Sequence, residues 1–217
     1  MKKNDFICGI GTQAELCKYY LEINGYSVEG FLIEADYYDK LSMQNTEVRV
    51  FEDHIKSIFA EDYEYFVGIG PLHVNRVRSK YFDRLKEKNL SLVNVIAPGA
   101  SVQNDLVLGE GIFIDQGSMV HPYVRLGNNV SIVHSAIGHH SIISNHAFIS
   151  GSIIGGNVKI GEQVFIGMNS VIGDNLNIGK GTYIGMGCVI QENTEPYSVY
   201  SSHKAKKRNI DSRKLKI

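Results

Sequence analysis

From Ile96 onward, branched aliphatic residues recur every six positions: Ile96, Val102, Leu108, Ile114, Val120, Leu126 and Ile132. The register slips by one and continues through Ile137, Ile143 and Ile149. It slips once more and runs from Ile154 through Ile160, Ile166, Ile172, Ile178 and Ile184 to Ile190. All seventeen anchors are Ile, Leu or Val, and fourteen of the sixteen intervals are six residues. Glycine follows nine of them, and four positions after an anchor stands a small or branched side chain such as Ala100, Ser118, Ser170 or Cys188. A period of six fits neither a helix nor an alternating strand. It predicts a solenoid in which each unit is a short strand and a corner, stacked into a parallel β-helix with the anchors inward. The glycines are expected at the corners, supplying backbone conformations that a Cβ would penalise.

The chain before Ile96 has another pattern. Phe6 to Gly11 reads as a buried strand and a glycine turn, followed by a helix from about Thr12 to Asn24 that Gly25 ends. Val28 to Ile33 is a second strand, closing a βαβ unit with Glu34 and Asp36 just beyond it. Tyr65 to Gly70 is a third strand and turn, Asn75 to Lys88 a helix, and Leu90 to Ile96 the approach to the repeat. The expected division is a small Rossmann-like α/β domain over 1–95, the β-helix over 96–200 and a tail over 201–217.

Composition sharpens this division. Residues 1–95 hold 27 of the 45 acidic and basic residues and 6 of the 22 glycines, whereas residues 96–190 hold 16 glycines and eight charges. Few charges suit coils that cover one another. The tail carries seven Lys or Arg against one Asp in its last fifteen residues. A formal net charge of −1 gives no electrostatic case for nucleic acid. Cys8, Cys17 and Cys188 form no CxxC pair, which fits a reducing compartment. The apolar stretch near the start is too short for a signal segment, and no 18-residue apolar run exists. The expectation is a cytoplasmic protein without membrane insertion.

Two clusters could carry chemistry. Gly9-x-Gly11-x-x-Ala14 at a strand-to-helix turn offers free N–H groups and a helix dipole to a phosphate. Four of the eight histidines, His134, His139, His140 and His146, fall between the two register slips, where the repeat is interrupted. An imidazole can accept a proton near neutral pH, as acyl transfer to an amine requires. A metal alternative, similar to the β-helix carbonic anhydrases, would use His134 and His139, five apart, with His121 one coil upstream. A non-catalytic β-helix scaffold is the remaining alternative.

The units IGEQVF, IGMNSV, IGDNLN, IGKGTY and IGMGCV resemble the hexapeptide repeat of left-handed β-helix acyltransferases. A small βαβ domain ahead of such a repeat, joined at Asn94 to Ala100, resembles the sialic-acid O-acetyltransferase and bacillosamine-pathway N-acetyltransferase group. The resemblance implies a left-handed prism, a homotrimer and acetyl-CoA as co-substrate, with no metal. It implies acetylation of the amino group of a UDP- or dTDP-linked sugar, specifically a 4-amino-4,6-dideoxy sugar, for glycan biosynthesis; sugar O-acetylation is the alternative. Ile137 to Ile143 resembles the family segment that places the general base at His139, with His140 where an acid is common; Asp115 or a backbone carbonyl would then orient the base. Gly155 to Gly161 resembles a segment that puts the Gly156 amide against the thioester carbonyl. Gly167, Met168, Gly185 and Met186 fall where the family touches acetyl-CoA, and Gly9, Gly11, Thr12, Gln13, Glu34 and Asp36 where it holds the nucleotide-sugar. The tail cations Lys204, Lys206, Lys207 and Arg208 would face the phosphates of coenzyme A. Tyr123, Val124 and the histidine segment would form an apolar face between two prisms.

Overall fold

The computed structural model describes residues 4–38, 42–43, 46–57, 60–103, 106–207, 209 and 211–214. Arg208, one of the tail cations, lies outside them. The α/β unit runs β1 (Asn4–Cys8), α1 (Thr12–Ile23), β2 (Ser27–Ile33), β3 (Ser42–Met43), β4 (Thr46–Val50), α2 (Phe51–His54), β5 (Glu64–Val67) and α3 (Arg76–Glu87). The sheet order is β3-β4-β2-β1-β5, parallel except for the β3–β4 pair. Strands covered on both faces read as continuous apolar runs, as Phe6-Ile7-Cys8 and Phe31-Leu32-Ile33 do, all buried. β4 escaped the sequence reading because its Thr-Glu-Val-Arg-Val run buries only Val48 and sits beside the sheet edge.

The repeat forms a three-faced, left-handed parallel β-helix. Face one stacks the strands from Val95–Ile96 to Val199–Tyr200, face two those from Ser101–Val102 to Val189–Ile190, and face three those from Val107–Leu108 to Asn177–Ile178. The anchors from Ile114 to Ile190 are buried and make one continuous core. At about 25 cal/mol per Å² of apolar surface, such a ladder is the main source of the prism's stability.

The corner chemistry differs from the expected one. Along the coils from Gly111 to Gly187 the residues with left-handed backbone are Gly111, Gly117, Tyr123, Asn129, His134, His140, His146, Gly151, Asn157, Gln163, Asn169, Asn175, Gly181 and Gly187, with φ between 46° and 75°. They lie two or three residues after an anchor. The glycines that directly follow the anchors have no positive φ. Most are required by close approach instead: a Cβ on Gly161 would stand 2.6 Å from the Lys180 nitrogen of the next coil, whereas one on Gly173 would meet nothing nearer than 3.4 Å. Both slips recur in the corner series, where Asn129 to His134 and His146 to Gly151 are five apart. Asn and His tolerate this conformation better than branched residues do, which accounts for His134, His140 and His146 as corner residues.

The α/β unit covers the first strands of face one, from Val95 to Phe148, and the corner between faces three and one as far as Val164. Arg78 on α3 is fully buried and donates to Asn129 Oδ1 (2.9 Å) and Ser131 Oγ (2.7 Å). Asn75 Nδ2 donates to the Val164 carbonyl at 3.0 Å, and Gln163 Nε2 to Ser79 Oγ at 3.0 Å. His146 is buried here, its Nδ1 accepting from Asn129 Nδ2 at 3.0 Å.

His54 at the end of α2 is buried against Phe6 and Tyr65, with Nε2 3.1 Å from the Tyr65 hydroxyl. That hydroxyl already donates to the Ala60 carbonyl (2.8 Å), so His54 is the donor. Burial pushes its imidazole down to about 4, and the Arg49 charge acts the same way. Protons therefore bind the unfolded chain better. The stabilisation is complete above the ordinary value of 6.5 and is lost as pH falls toward 4. His54→Gln should shrink the loss of urea resistance between pH 7 and pH 4.5; an equal loss in both proteins would refute this account.

Candidate active site

The corner between faces two and three carries His139 and His140 on the coil that begins at Ser131. Both are exposed. His139 Nδ1 lies 3.1 Å from His140 Nδ1, and the two rings meet edge to face at 5.2 Å. His140 leans on the exposed ring of Tyr123 one coil before, centroids 4.6 Å apart. Gly156 lies under His139 on the following coil: a Cβ there would sit 2.8 Å from His139 Cε1 and 2.9 Å from Nε2. The missing side chain at 156 is what makes room for the imidazole. The Gly156 N–H, named as a donor to the thioester, is donated to Asp174 Oδ1 at 2.6 Å. A carbonyl reaching that amide would have to share it with Asp174.

Asp115 does not orient His139. It lies on the corner between faces one and two, where its Oδ2 is 3.4 Å from His134 Nδ1. Its Oδ1 accepts from the Tyr20 hydroxyl (2.9 Å) and from the Gln116 N–H (2.8 Å). The sequence could not show this pairing, because the strand between them puts His134 and His139 on different corners. Met168 and Met186 lie on the His134 corner and are exposed. Gly167 and Gly185 open the same corner turns; a Cβ on Gly167 would meet the Met186 nitrogen at 2.9 Å, so close approach alone requires a glycine there.

Val124 is fully buried in the prism core and belongs to no outer face, unlike Tyr123. An outward apolar ladder runs along face two: Met119, Ala136, Ile153, Val171 and Val189, with Ile153 58% and Val189 67% exposed. The sequence reading missed it because each member precedes an anchor and was absorbed into the repeat.

A second feature lies in the α/β unit. A cleft of about 890 Å³ opens at the carboxyl ends of β1, β2 and β5, lined among others by Gly9, Gly11, Thr12, Gln13 and Glu34. Ligands of open α/β sheets bind at such an edge. A Cβ on Gly11 would meet open space, whereas Gly9 (φ +107°) is held by its backbone and by Ile69. Glu34 is tied to Lys80 (2.7 Å) and Arg84 (3.1 Å). Asp36 is exposed and does not line the cleft. Arg76, His73 and Lys80 do, and the sequence reading did not name them.

His121 and His139 share one corner and His134 another. Among the described residues no three His, Cys, Asp or Glu side chains gather to hold a metal ion. Lys204, Lys206 and Lys207 are exposed. Among the described residues no helix is long and apolar enough to cross a membrane.

A glycine-turn α/β domain leaning on a hexapeptide-repeat prism defines the class of fold. The family described as the GMPPB C-terminal domain matches residues 93–202, half of the chain, and the chain belongs to that family. Solved structures extend the likeness over both domains. A mutant perosamine N-acetyltransferase from Caulobacter crescentus, in complex with CoA and GDP-perosamine, superposes with a TM-score of 0.82 at 23% identity, covering 90% of this chain and 92% of that one. The acetyltransferase domain of PglB from Neisseria gonorrhoeae gives 0.81 at 20% identity, covering 91% and 96%. WeeI from Acinetobacter baumannii gives 0.68 at 19% identity, covering 90% and 95%.

The contact between His139 and Gly156 yields a direct test. Gly156→Ala should displace the His139 ring without unfolding the prism, and so lower turnover by on the order of 10² in any reaction that uses this imidazole. Turnover within threefold of wild type would show that the ring position is unimportant.

Proposed function

We propose that this protein is a cytoplasmic, acetyl-CoA-dependent N-acetyltransferase acting on the amino group of a nucleotide-linked amino sugar. The observation that carries the reading is His139: an exposed imidazole seated over Gly156, at the interrupted part of an otherwise regular prism. Its support is the cleft at the Gly9–Gly11 turn, on the domain that the Caulobacter enzyme also shares. Two solved forms of that enzyme carry a replaced histidine, by asparagine in one and alanine in the other.

In the proposed reaction the sugar amine attacks the thioester carbonyl directly. His139 Nε2 takes the amine proton as the C–N bond forms and the C–S bond breaks. For Nε2 to hold a lone pair, Nδ1 must carry the hydrogen and donate it to His140 Nδ1. His140 thereby does the orienting that a carboxylate would otherwise do. Gly9, Gly11, Thr12 and Gln13 would take the diphosphate on backbone N–H groups at the start of α1, and Glu34 would face the ribose. Met168, Met186, Gly167 and Gly185 would border the pantetheine arm.

The two sites lie apart in one chain. The α/β unit covers the first strands of face one, and His139 stands on the corner opposite to that face. A second copy must therefore bring an amino sugar to His139. The apolar ladder on face two supplies the contact, and three copies around one axis would close it. A trimeric mass in light scattering is expected; a monomer at micromolar concentration would overturn it.

Thiol release from acetyl-CoA with UDP-, dTDP- and GDP-linked 4-amino-4,6-dideoxy sugars tests the activity, and no release with any of them would overturn it. His139→Asn should lower kcat by on the order of 10² or more with little change in the KM for acetyl-CoA. Near-wild-type turnover would remove His139 from the mechanism. Gly11→Val places its side chain in the open cleft and should raise the KM for the sugar far more than that for acetyl-CoA. Equal effects would make the turn structural.

A further inference from the structure

The pair Asp115–His134 has no part in the reaction as just described. Its geometry is that of a working imidazole. Asp115 is buried, and both its oxygens are engaged, Oδ1 by the Tyr20 hydroxyl and the Gln116 N–H and Oδ2 by His134. Oδ1 is thus held without His134, which leaves Oδ2 to the imidazole. His134 gains an orientation from it, with Nδ1 fixed and a side chain that remains 69% exposed. An imidazole whose Nδ1 is held by a fixed carboxylate presents Nε2 outward, in one tautomer and one direction.

His134 and His139 belong to the same coil: His134 follows the strand Ser131–Val133, and His139 follows Ala136–Ile137. They occupy the two corners that flank face two, the face with the apolar ladder. If copies pack through that face around an axis parallel to the prism, each contact joins one flanking corner to the unlike corner of the neighbour. Residues of one coil stay at one height under such a rotation. His134 of one protomer then meets the partner's His139 at the same level.

We infer that the Asp115–His134 pair is the proton donor to the leaving sulfur, acting on the reaction whose base is the neighbouring protomer's His139. The inference rests on the reading proposed above. The amine forms a C–N bond to the acetyl carbon and loses its proton to His139 Nε2. The C–S bond breaks, and the thiolate takes the proton of protonated His134 Nε2. The two imidazoles then return to their starting states by exchange with water, so no further reactant is needed.

The test is subunit complementation. His134→Asn and His139→Asn are expressed together with different affinity tags, and trimers containing both chains are isolated through the two tags in turn. Each single variant alone should lose on the order of 10² in kcat while its KM for acetyl-CoA and its melting temperature stay near wild type. In a mixed trimer one contact retains both histidines, so turnover should return to about one third of wild type. Asp115→Asn should lose less than His134→Asn. Mixed trimers no more active than their parents, or a fully active His134→Asn, would overturn the shared site. A fully active His139→Asn would instead overturn the base assignment on which it rests.

Discussion

The constraint on which the molecule depends is the stacking of one aliphatic anchor upon the next at a six-residue period. Each coil must return to the same height with its anchor inside, and from Gly111 to Gly187 the chain does so by taking a left-handed residue at each corner. Between Gly111 and Gly187 these positions march in step with the anchors, shortening by one residue at both slips. Most of the glycines beside the anchors obey the same constraint differently, by letting neighbouring coils approach within backbone contact. Every side chain on an outer corner is thereby fixed in height and direction, and the placement of His134 and His139 on one coil is a result of that.

The second determinant is the seam between α3 and the prism. Arg78 is buried there without a carboxylate; burial pushes its guanidinium down to about 10, and its charge is held by the amide of Asn129, the hydroxyl of Ser131 and the ring of Phe148. Among the described residues its Nε has no partner. A buried charge of this kind is a poor source of stability but a strict judge of register, since a shift of α3 by one turn would strand it. The cleft is consequently held in one position relative to the histidine corner.

Much of this was legible in the sequence. The β-helix could be read because its period is stated by seventeen anchors, and α1 and α3 because their ends carry Gly25 and the turn before Asn75. β3 and β4 were not legible, since an edge strand that buries one residue leaves almost no pattern. The histidine cluster could be singled out through the interrupted repeat, and His139 within it through the resemblance of Ile137 to Ile143 to a family segment. The partner of Asp115 could not, because a solenoid brings residues nineteen apart together across coils that the sequence does not display side by side. The face-two ladder was hidden for a related reason: residues that alternate with anchors look like part of the core until the faces are separated.

The seam also divides the prism along its length. Among the described residues, the polar links from the α/β unit reach the coils as far as Gln163 and Val164. Among the described residues no polar link from the α/β unit reaches the coils from Val171 to Tyr200, which lean on their neighbours. In a quasi-one-dimensional stack, cooperativity travels only through adjacent units. The molecule therefore has a clamped end and a free end, and opening should begin at the free one, like a spring uncoiling from its loose tip, while the histidine coil sits deep enough to remain closed.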